Sequence, residues 1–273
     1  MATNKYICKV CGYVHTGDAA PDMCPVCKVP ASEFEMMKAE KPKGIFADKN
    51  GNAYILTYAT VMVVLVAAVL AYVALSLKDL QSANVLNEKK NAILTALAAE
   101  EGVSYDEYIT AFVIDAEGKR IDGVASDYII ENLGSLEEGQ YPIFQATDGR
   151  VVVPVYGTGL WGAIWGYVAL DGDMSTISGI VIDHAGETPG LGAEIATAKH
   201  QAMYVGKRLF EGDKFVSVSL VKGGASTQMP AANHEVDAIT GGTKTSDGVT
   251  AMLSESLGNY VPFFKSANCK TCK

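Results

Sequence analysis

The chain has 273 residues, 22 Lys and Arg against 31 Asp and Glu, a formal charge of −9 and a charged share of 19 %, below the about 25 % of an average soluble domain. The acidic surplus excludes a nucleic-acid binder that works by neutralising phosphates, and it supplies no polybasic patch for a lipid surface. Six cysteines fall in three C-x-x-C pairs, Cys8/Cys11, Cys24/Cys27 and Cys269/Cys272, a pattern that reads as metal or redox chemistry before a disulfide framework.

Residues 1–37 form a small Cys-rich module. Each of its two C-x-x-C pairs can set two thiolates on one side of a tight turn, and two such turns close a tetrahedral four-sulfur site that suits zinc or iron. Gly12 and Pro25 each follow a cysteine, where the turn needs special backbone angles. A polar linker, 38–52, leads into an uncharged run from Tyr54 to Leu77 rich in Val and Ala. About 20 apolar residues suffice to cross a hydrocarbon core of about 30 Å, so 53–78 is expected to be a transmembrane helix. A cleaved signal peptide is a poorer fit, because a complete cysteine motif precedes the run and the run is too long.

Residues 79–104 continue a helical pattern with Leu80, Val85, Leu86, Ile93, Leu94 and Leu97 on one side, as a stalk would. From 105 to 265 the pattern turns to strands: TAFVIDAEGKRIDG, RVVVPVYGTG, GAIWGYVALD, TISGIVIDH and KFVSVSLV alternate or run apolar between Gly and Asp breaks. Thr197–Phe210 and Gly248–Leu257 read as helices, the second capped by Ser246 or Asp247. The outer domain is therefore α+β. In DAITGGTKTSDGV, Gly241 and Gly242 bare the backbone among the hydroxyls of Thr240, Thr243 and Thr245, with Lys244 adding charge, just before a helix start that could receive a phosphate. A plain Gly-Thr turn is the competing reading. Residues 266–273 form a tail whose Cys269 and Cys272 cannot complete a four-coordinate site alone; a labile disulfide, a shared metal or a disordered dithiol all remain open.

The wording around the first four cysteines, C-x-x-C-G-Y-V-H-x-G-D-x-A-P-x-x-C-P-V-C-K, resembles the rubredoxin-like domain of rubrerythrins over about residues 4–36. That resemblance implies one iron held by Cys8, Cys11, Cys24 and Cys27 and used for one-electron transfer, with structural zinc the alternative.

D-x-x-T-G-G-T, from Asp237 to Thr243, is similar to the D-x-x-(S/T)-G-A-T signature of electron-transfer subunits to which a flavin transferase attaches FMN through its phosphate. The resemblance implies FMN on Thr243; Gly242 departs from the usual Ala. HAGETPGLGAEI resembles the E-T-P-G-L-G motif of the same proteins and implies that Glu187, Thr188, Gly190 and Leu191 lie around the flavin. The G-L-W-G-x-I-W-G-Y stretch, with Trp161 a further candidate flavin contact, and VKGGA resemble the NqrC family, the C subunits of the Na⁺-translocating NADH:quinone reductase, over about residues 50–265. The G subunit of Rnf-type ferredoxin:NAD oxidoreductases shares the threonine signature and is the alternative.

This family implies an electron-transfer subunit of an inner-membrane translocase that reduces ubiquinone. Its partners are the other membrane subunits, and it is inactive alone. No G-x-G-x-x-G fingerprint is present, so NADH is oxidised elsewhere, and the uncharged span offers no ion site. His184 reads as a structural histidine. Four lysines before the span against three after it place the N-terminus in the cytoplasm and the FMN domain in the periplasm. A non-enzymatic anchor with a zinc knuckle is the rival from another class.

Overall fold

A computed structural model of the chain describes residues 4–38, 51–100 and 102–271. The chain divides into two compact units, Met1–Leu77 and Lys78–Lys273. In the first, β1 (Asn4–Cys8) pairs antiparallel with both β2 (Val14–Gly17) and β3 (Phe34–Met36). Turns and a short 3-10 helix, Ala31–Glu33, make up most of the rest of the described module, and the four cysteines, rather than an apolar core, are what it encloses.

Span and stalk form one helix, α1 (Asn52–Ala96). Its most apolar 18-residue stretch has a mean hydropathy of 2.6 and no buried residue, which makes the helix long and apolar enough to cross a membrane. The exposed side chains include Leu56, Val63, Leu70 and Leu75, each more than half exposed, a face that water would not tolerate at this density. The helix stops at Ala96. Ala98 takes a left-handed φ of 48°, and the amides of Ala98 and Ala99 turn back to the carbonyls of Thr95 and Leu94, which is a Schellman end.

The second unit is built on a six-stranded antiparallel sheet. In chain order it comprises α2 (Tyr105–Tyr108), β4 (Ile109–Ile114), β5 (Arg120–Ile121), α3 (Ser126–Glu131), β6 (Tyr141–Ala146), β7 (Val151–Thr158), β8 (Ala163–Leu170) and β9 (Ile177–His184). The spatial order is β5-β4-β6-β7-β8-β9. One face packs on Ile93, Ala96, Leu97, Ile129 and Ile130, which belong to the end of α1 and to α3. The other packs on Val249, Met252, Leu253, Leu257, Tyr260 and Phe264 of two C-terminal helices. Burial on both faces explains why β7 opens as the unbroken apolar run VVVPV instead of alternating.

After β9 come α4 (Ala198–Gln201), the hairpin β10 (Phe210–Glu211) and β11 (Lys214–Phe215), and the parallel pair β12 (Ser219–Val221) and β13 (Glu235–Asp237). The helices α5 (Thr243–Gly258) and α6 (Val261–Thr271) close the chain. Two sequence expectations need correction. The segment Thr197–Phe210 is a single turn of α-helix and one of 3-10 helix, which ends where Val205 turns extended and Gly206 follows at a φ of 80°. The KFVSVSLV strand is broken in two by Ser217 at a φ of 64°. The side chain of Cys269 and the whole of Cys272 lie outside the described residues, so the tail pair is not placed.

Candidate functional site

The knuckle is built by two matching turns. In one, the Gly12 amide donates to the Cys8 carbonyl and Gly12 takes a φ of 74°; in the other, the Lys28 amide donates to the Cys24 carbonyl and Lys28 takes a φ of 59°. The left-handed position is therefore the residue after the second cysteine of each pair. Pro25 follows a first cysteine and does not fill it. The four Sγ atoms lie within 4.8 Å of one another, with Cys8–Cys27 at 3.6 Å and Cys11–Cys24 at 3.5 Å. A tetrahedral ion with bonds of about 2.3 Å sets its sulfurs about 3.8 Å apart, so the donor set fits iron or zinc. Cys8 and Cys24 are buried, while Cys11 is exposed and Cys27 half-exposed. At Cys24, burial works against ionisation, but the amides of Cys27 and Val26 and the facing thiols bring the thiol down to about 6.

The second constellation gathers at one end of the sheet, where the β7–β8 loop, the loop after β9 and the start of α5 meet. Glu187 is 5 % exposed. Its Oε1 accepts from the Trp161 amide at 2.9 Å and its Oε2 from the Thr245 hydroxyl at 2.6 Å, and the Leu160 amide lies close to the same carboxylate. Burial favours the protonated acid, yet the Thr245 hydroxyl, the two amides and nearby His184 hold Glu187 below the ordinary carboxylate range. The Glu187 amide in turn donates to His184 Nδ1 at 3.2 Å, so His184 serves the loop and the structural reading of it stands. Within the E-T-P-G-L-G loop, the Thr188 carbonyl accepts from Leu191 and Ala193, and Gly190 takes a φ of 75°. Leu191 reaches Gly241, whose φ of 77° and lack of a Cβ allow the contact.

Helix α5 begins at Thr243 with Gly242 as its cap, four to five residues earlier than the Gly248 start and the Ser246 or Asp247 cap expected from sequence. The reason is that these hydroxyls are spent inside the helix. Ser246 Oγ donates to the Gly242 carbonyl and accepts from the Ile239 amide, and Thr245 is held by Glu187. Among the described residues Thr243 Oγ1 makes no hydrogen bond, and no side chain caps the α5 amides. The first turn carries no acid. Unpaired amides and the positive helix end suit a phosphate there.

Beside this corner stand Trp161 at 71 %, Leu160 at 54 % and Leu191 at 42 % exposure, an apolar surface of the kind a flat ring covers. Thr240 and Lys244 are at least partly exposed. Asp237 faces another way: its Oδ1 accepts from the Ala225 amide at 2.7 Å and ties down the VKGGA turn. Sequence reasoning missed Leu160, Gly159 and Gly192 as parts of the corner. The two glycines stood in the motifs it quoted, but nothing local says what they make room for.

An apolar shelf beside a phosphate-ready helix end, in a chain that also carries one long apolar helix, defines a flavin-binding electron-transfer domain. Residues 159–258 match the FMN-binding domain family model, and residues 6–35 match the rubredoxin-like domain of rubrerythrin. The C subunit of the Na⁺-translocating NADH-quinone reductase from Pseudomonas aeruginosa is 32 % identical over 244 residues, covering 78 % of this chain and 94 % of that protein. The corresponding protein of Vibrio anguillarum is 31 % identical over 219 residues, covering 70 % of this chain and 85 % of that protein. The crystal structure of the Parabacteroides distasonis protein of the same name superposes with a TM-score of 0.61 at 39 % identity, covering 69 % of this chain and 96 % of that one. That of Shewanella oneidensis NqrC gives 0.57 at 26 %, covering 67 % and 99 %. The chain belongs to the NqrC family of the Na⁺-translocating NADH-quinone reductase.

Proposed function

We propose that the chain passes electrons through FMN joined by its phosphate to Thr243 Oγ1, and that it carries a second, rubredoxin-type iron at Cys8, Cys11, Cys24 and Cys27. The observation that carries the flavin reading is the state of the hydroxyls at the start of α5. Thr245 and Ser246 are already bonded, whereas Thr243 is free at the helix end, where the unpaired amides would hold the phosphate. Lys244 and Thr240 would flank it, and Gly241 and Gly242 would let the cofactor approach. Trp161, Leu191, Thr188 and Gly190 would line the ring. Bound FMN supplies one- and two-electron transfer; the protein orients the ring and tunes its potential.

Iron rather than zinc is favoured by the rubredoxin wording around all four cysteines and by the exposure of Cys11, which leaves a ligand sulfur open to a redox partner. The remaining membrane subunits would deliver and remove the electrons, with ubiquinone the final acceptor, and a flavin transferase would mature the protein. The N-terminus would lie in the cytoplasm and the FMN domain in the periplasm, by the lysine bias around the span.

Chain produced together with a flavin transferase should gain the mass of one FMN, located on Thr243 by peptide mapping and absent in Thr243→Ala. It should also contain one iron, with a visible band bleached by dithionite. Flavin found on Thr240 or Thr245 would refute the first assignment, and stoichiometric zinc from iron-replete cells the second.

A further inference from the structure

The carboxylate of Glu187 joins three pieces of chain that are distant in sequence. It belongs to the loop after β9; it takes the Trp161 amide at the tip of the β7–β8 loop; and it takes the hydroxyl of Thr245 in the first turn of α5. A Cβ on Gly159 would collide with Oε1, and a Cβ on Gly192 would collide with Oε2 and with Thr245 Oγ1. Both glycines are therefore explained by the carboxylate and not by a ring above them. Among the described residues no Lys or Arg pairs with Glu187. A buried carboxylate persists in this way only if its oxygens are hydrogen-bonded, and each of the two has a donor.

We propose that Glu187 is a positioning residue: it locks the loop tip that carries Trp161 to the helix turn that carries Thr243, so that the flavin corner is formed before the cofactor arrives. This rests on the reading of Thr243 as the flavin attachment point. Both oxygens of Glu187 are already held by the chain, which fixes the carboxylate in place. Its role differs from that of a side chain in contact with the ring. Without it the Trp161 amide loses its acceptor, and the exposed Trp161 is no longer held at a fixed place relative to α5. A corner preformed in this way spares the ordering cost that binding would otherwise carry.

The experiment compares full-length wild type, Glu187→Gln, Glu187→Ala and Thr245→Val in detergent. Before any flavin is added, hydrogen exchange of the peptide holding Leu160 and Trp161 reads the lock directly. Glu187→Ala should exchange at least about tenfold faster there, with β4 and β6 unchanged. Glu187→Gln keeps an acceptor oxygen for the Trp161 amide and should stay close to wild type. After treatment with a flavin transferase and flavin dinucleotide, Glu187→Ala should show an altered visible circular dichroism band for its flavin, and Glu187→Gln a wild-type one.

Wild-type exchange and dichroism in Glu187→Ala would overturn the proposal. If Glu187→Ala loses protection throughout the sheet, Thr245→Val decides: faster exchange confined to the start of α5 supports the lock, and none refutes it. Wild type that takes no flavin on Thr243 would sink the underlying reading, while the exchange comparison would still judge the lock by itself.

Discussion

Arg150 donates from Nη1 to the carbonyl oxygen of Leu97 at 2.5 Å, across 53 residues of sequence. That carbonyl is one of the acceptors a helix end leaves unpaired. The guanidinium also meets Asp148 at 2.7 Å and the Tyr108 hydroxyl at 3.1 Å, and Tyr108 donates to Asp148 at 2.7 Å. The β6–β7 turn thereby caps α1 and places a positive charge at its negative end.

Arg150→Ala should lower the stability of the outer domain by about 1–2 kcal/mol, the range for hydrogen bonds to a charged group discounted for partial exposure. Arg150→Lys should recover less than half of this, because a compact ammonium lacks the planar fork that reaches acceptors on opposite sides of the guanidinium. Thermal unfolding of the full chain in detergent is the measurement, and an unchanged midpoint in Arg150→Ala would contradict the cap.

At the same helix end, Ala98 holds a φ of 48° that a Cβ makes costly. Ala98→Gly should raise stability by about 1 kcal/mol, the usual difference for an L-residue in the left-handed region, less the extra freedom glycine gains when unfolded. A lower midpoint would mean that the terminus is held differently.

His200 is buried, with its Nε2 at 3.1 Å from the Tyr204 hydroxyl. Burial keeps its imidazole below the ordinary value, against an opposing pull from Asp237. The unfolded chain therefore binds a proton near pH 6.5 that the folded chain resists. The contribution is fully present above pH 6.5 and is lost as the pH falls toward the folded value, by at most about 1.4 kcal/mol per pH unit. Urea midpoints between pH 7.5 and 5 should show this decline, and His200→Gln should flatten it.

An ideal Cβ on Gly242 would stand 2.9 Å from Ile239 Cγ2 and 3.4 Å from Gly192 Cα. Gly242→Ala, which restores the more common letter of the flavin signature, should therefore cost about 1 kcal/mol here through overpacking. Paired with Ile239→Ala in a double-mutant cycle, it should show a favourable coupling of about 1 kcal/mol. Additive effects would remove Ile239 as the reason for glycine at this position.

In the isolated protein, iron reduced at the knuckle should not pass its electron to the flavin, because the proposed topology separates the two sites by about 30 Å of hydrocarbon. Stopped-flow absorbance at several dilutions is the check. Fast flavin reduction independent of concentration would put both centres on one side of the membrane and overturn the orientation.

The parts of this molecule written as long patterns were legible in its sequence. The span from Tyr54, the apolar run of β7, the alternation of β9 and the four cysteines each announce themselves by period or spacing. Strand β6 and helix α3 were missed because YPIFQA and SDYIIE are too short to show a period. The start of α5 was misjudged because a hydroxyl before a helix looks like a cap, and only the fold reveals that Ser246 bonds within its own helix. The lock at the flavin corner was illegible for a related reason: Glu187 and Thr245 are 58 residues apart, and neither neighbourhood mentions the other.

The crowding of Gly159 and Gly192 against the Glu187 carboxylate also constrains the order in which this corner can change over generations. A side chain gained at either glycine while the acid is present meets an occupied space and is purged. Loss of the acid comes first or not at all. Descendants that have abandoned the acid are then rid of that obstacle at Gly159, whereas Gly192 still faces the Thr245 hydroxyl. Relatives with bulk at 159 should therefore carry a short residue at 187, and relatives with bulk at 192 should lack both the acid and the threonine.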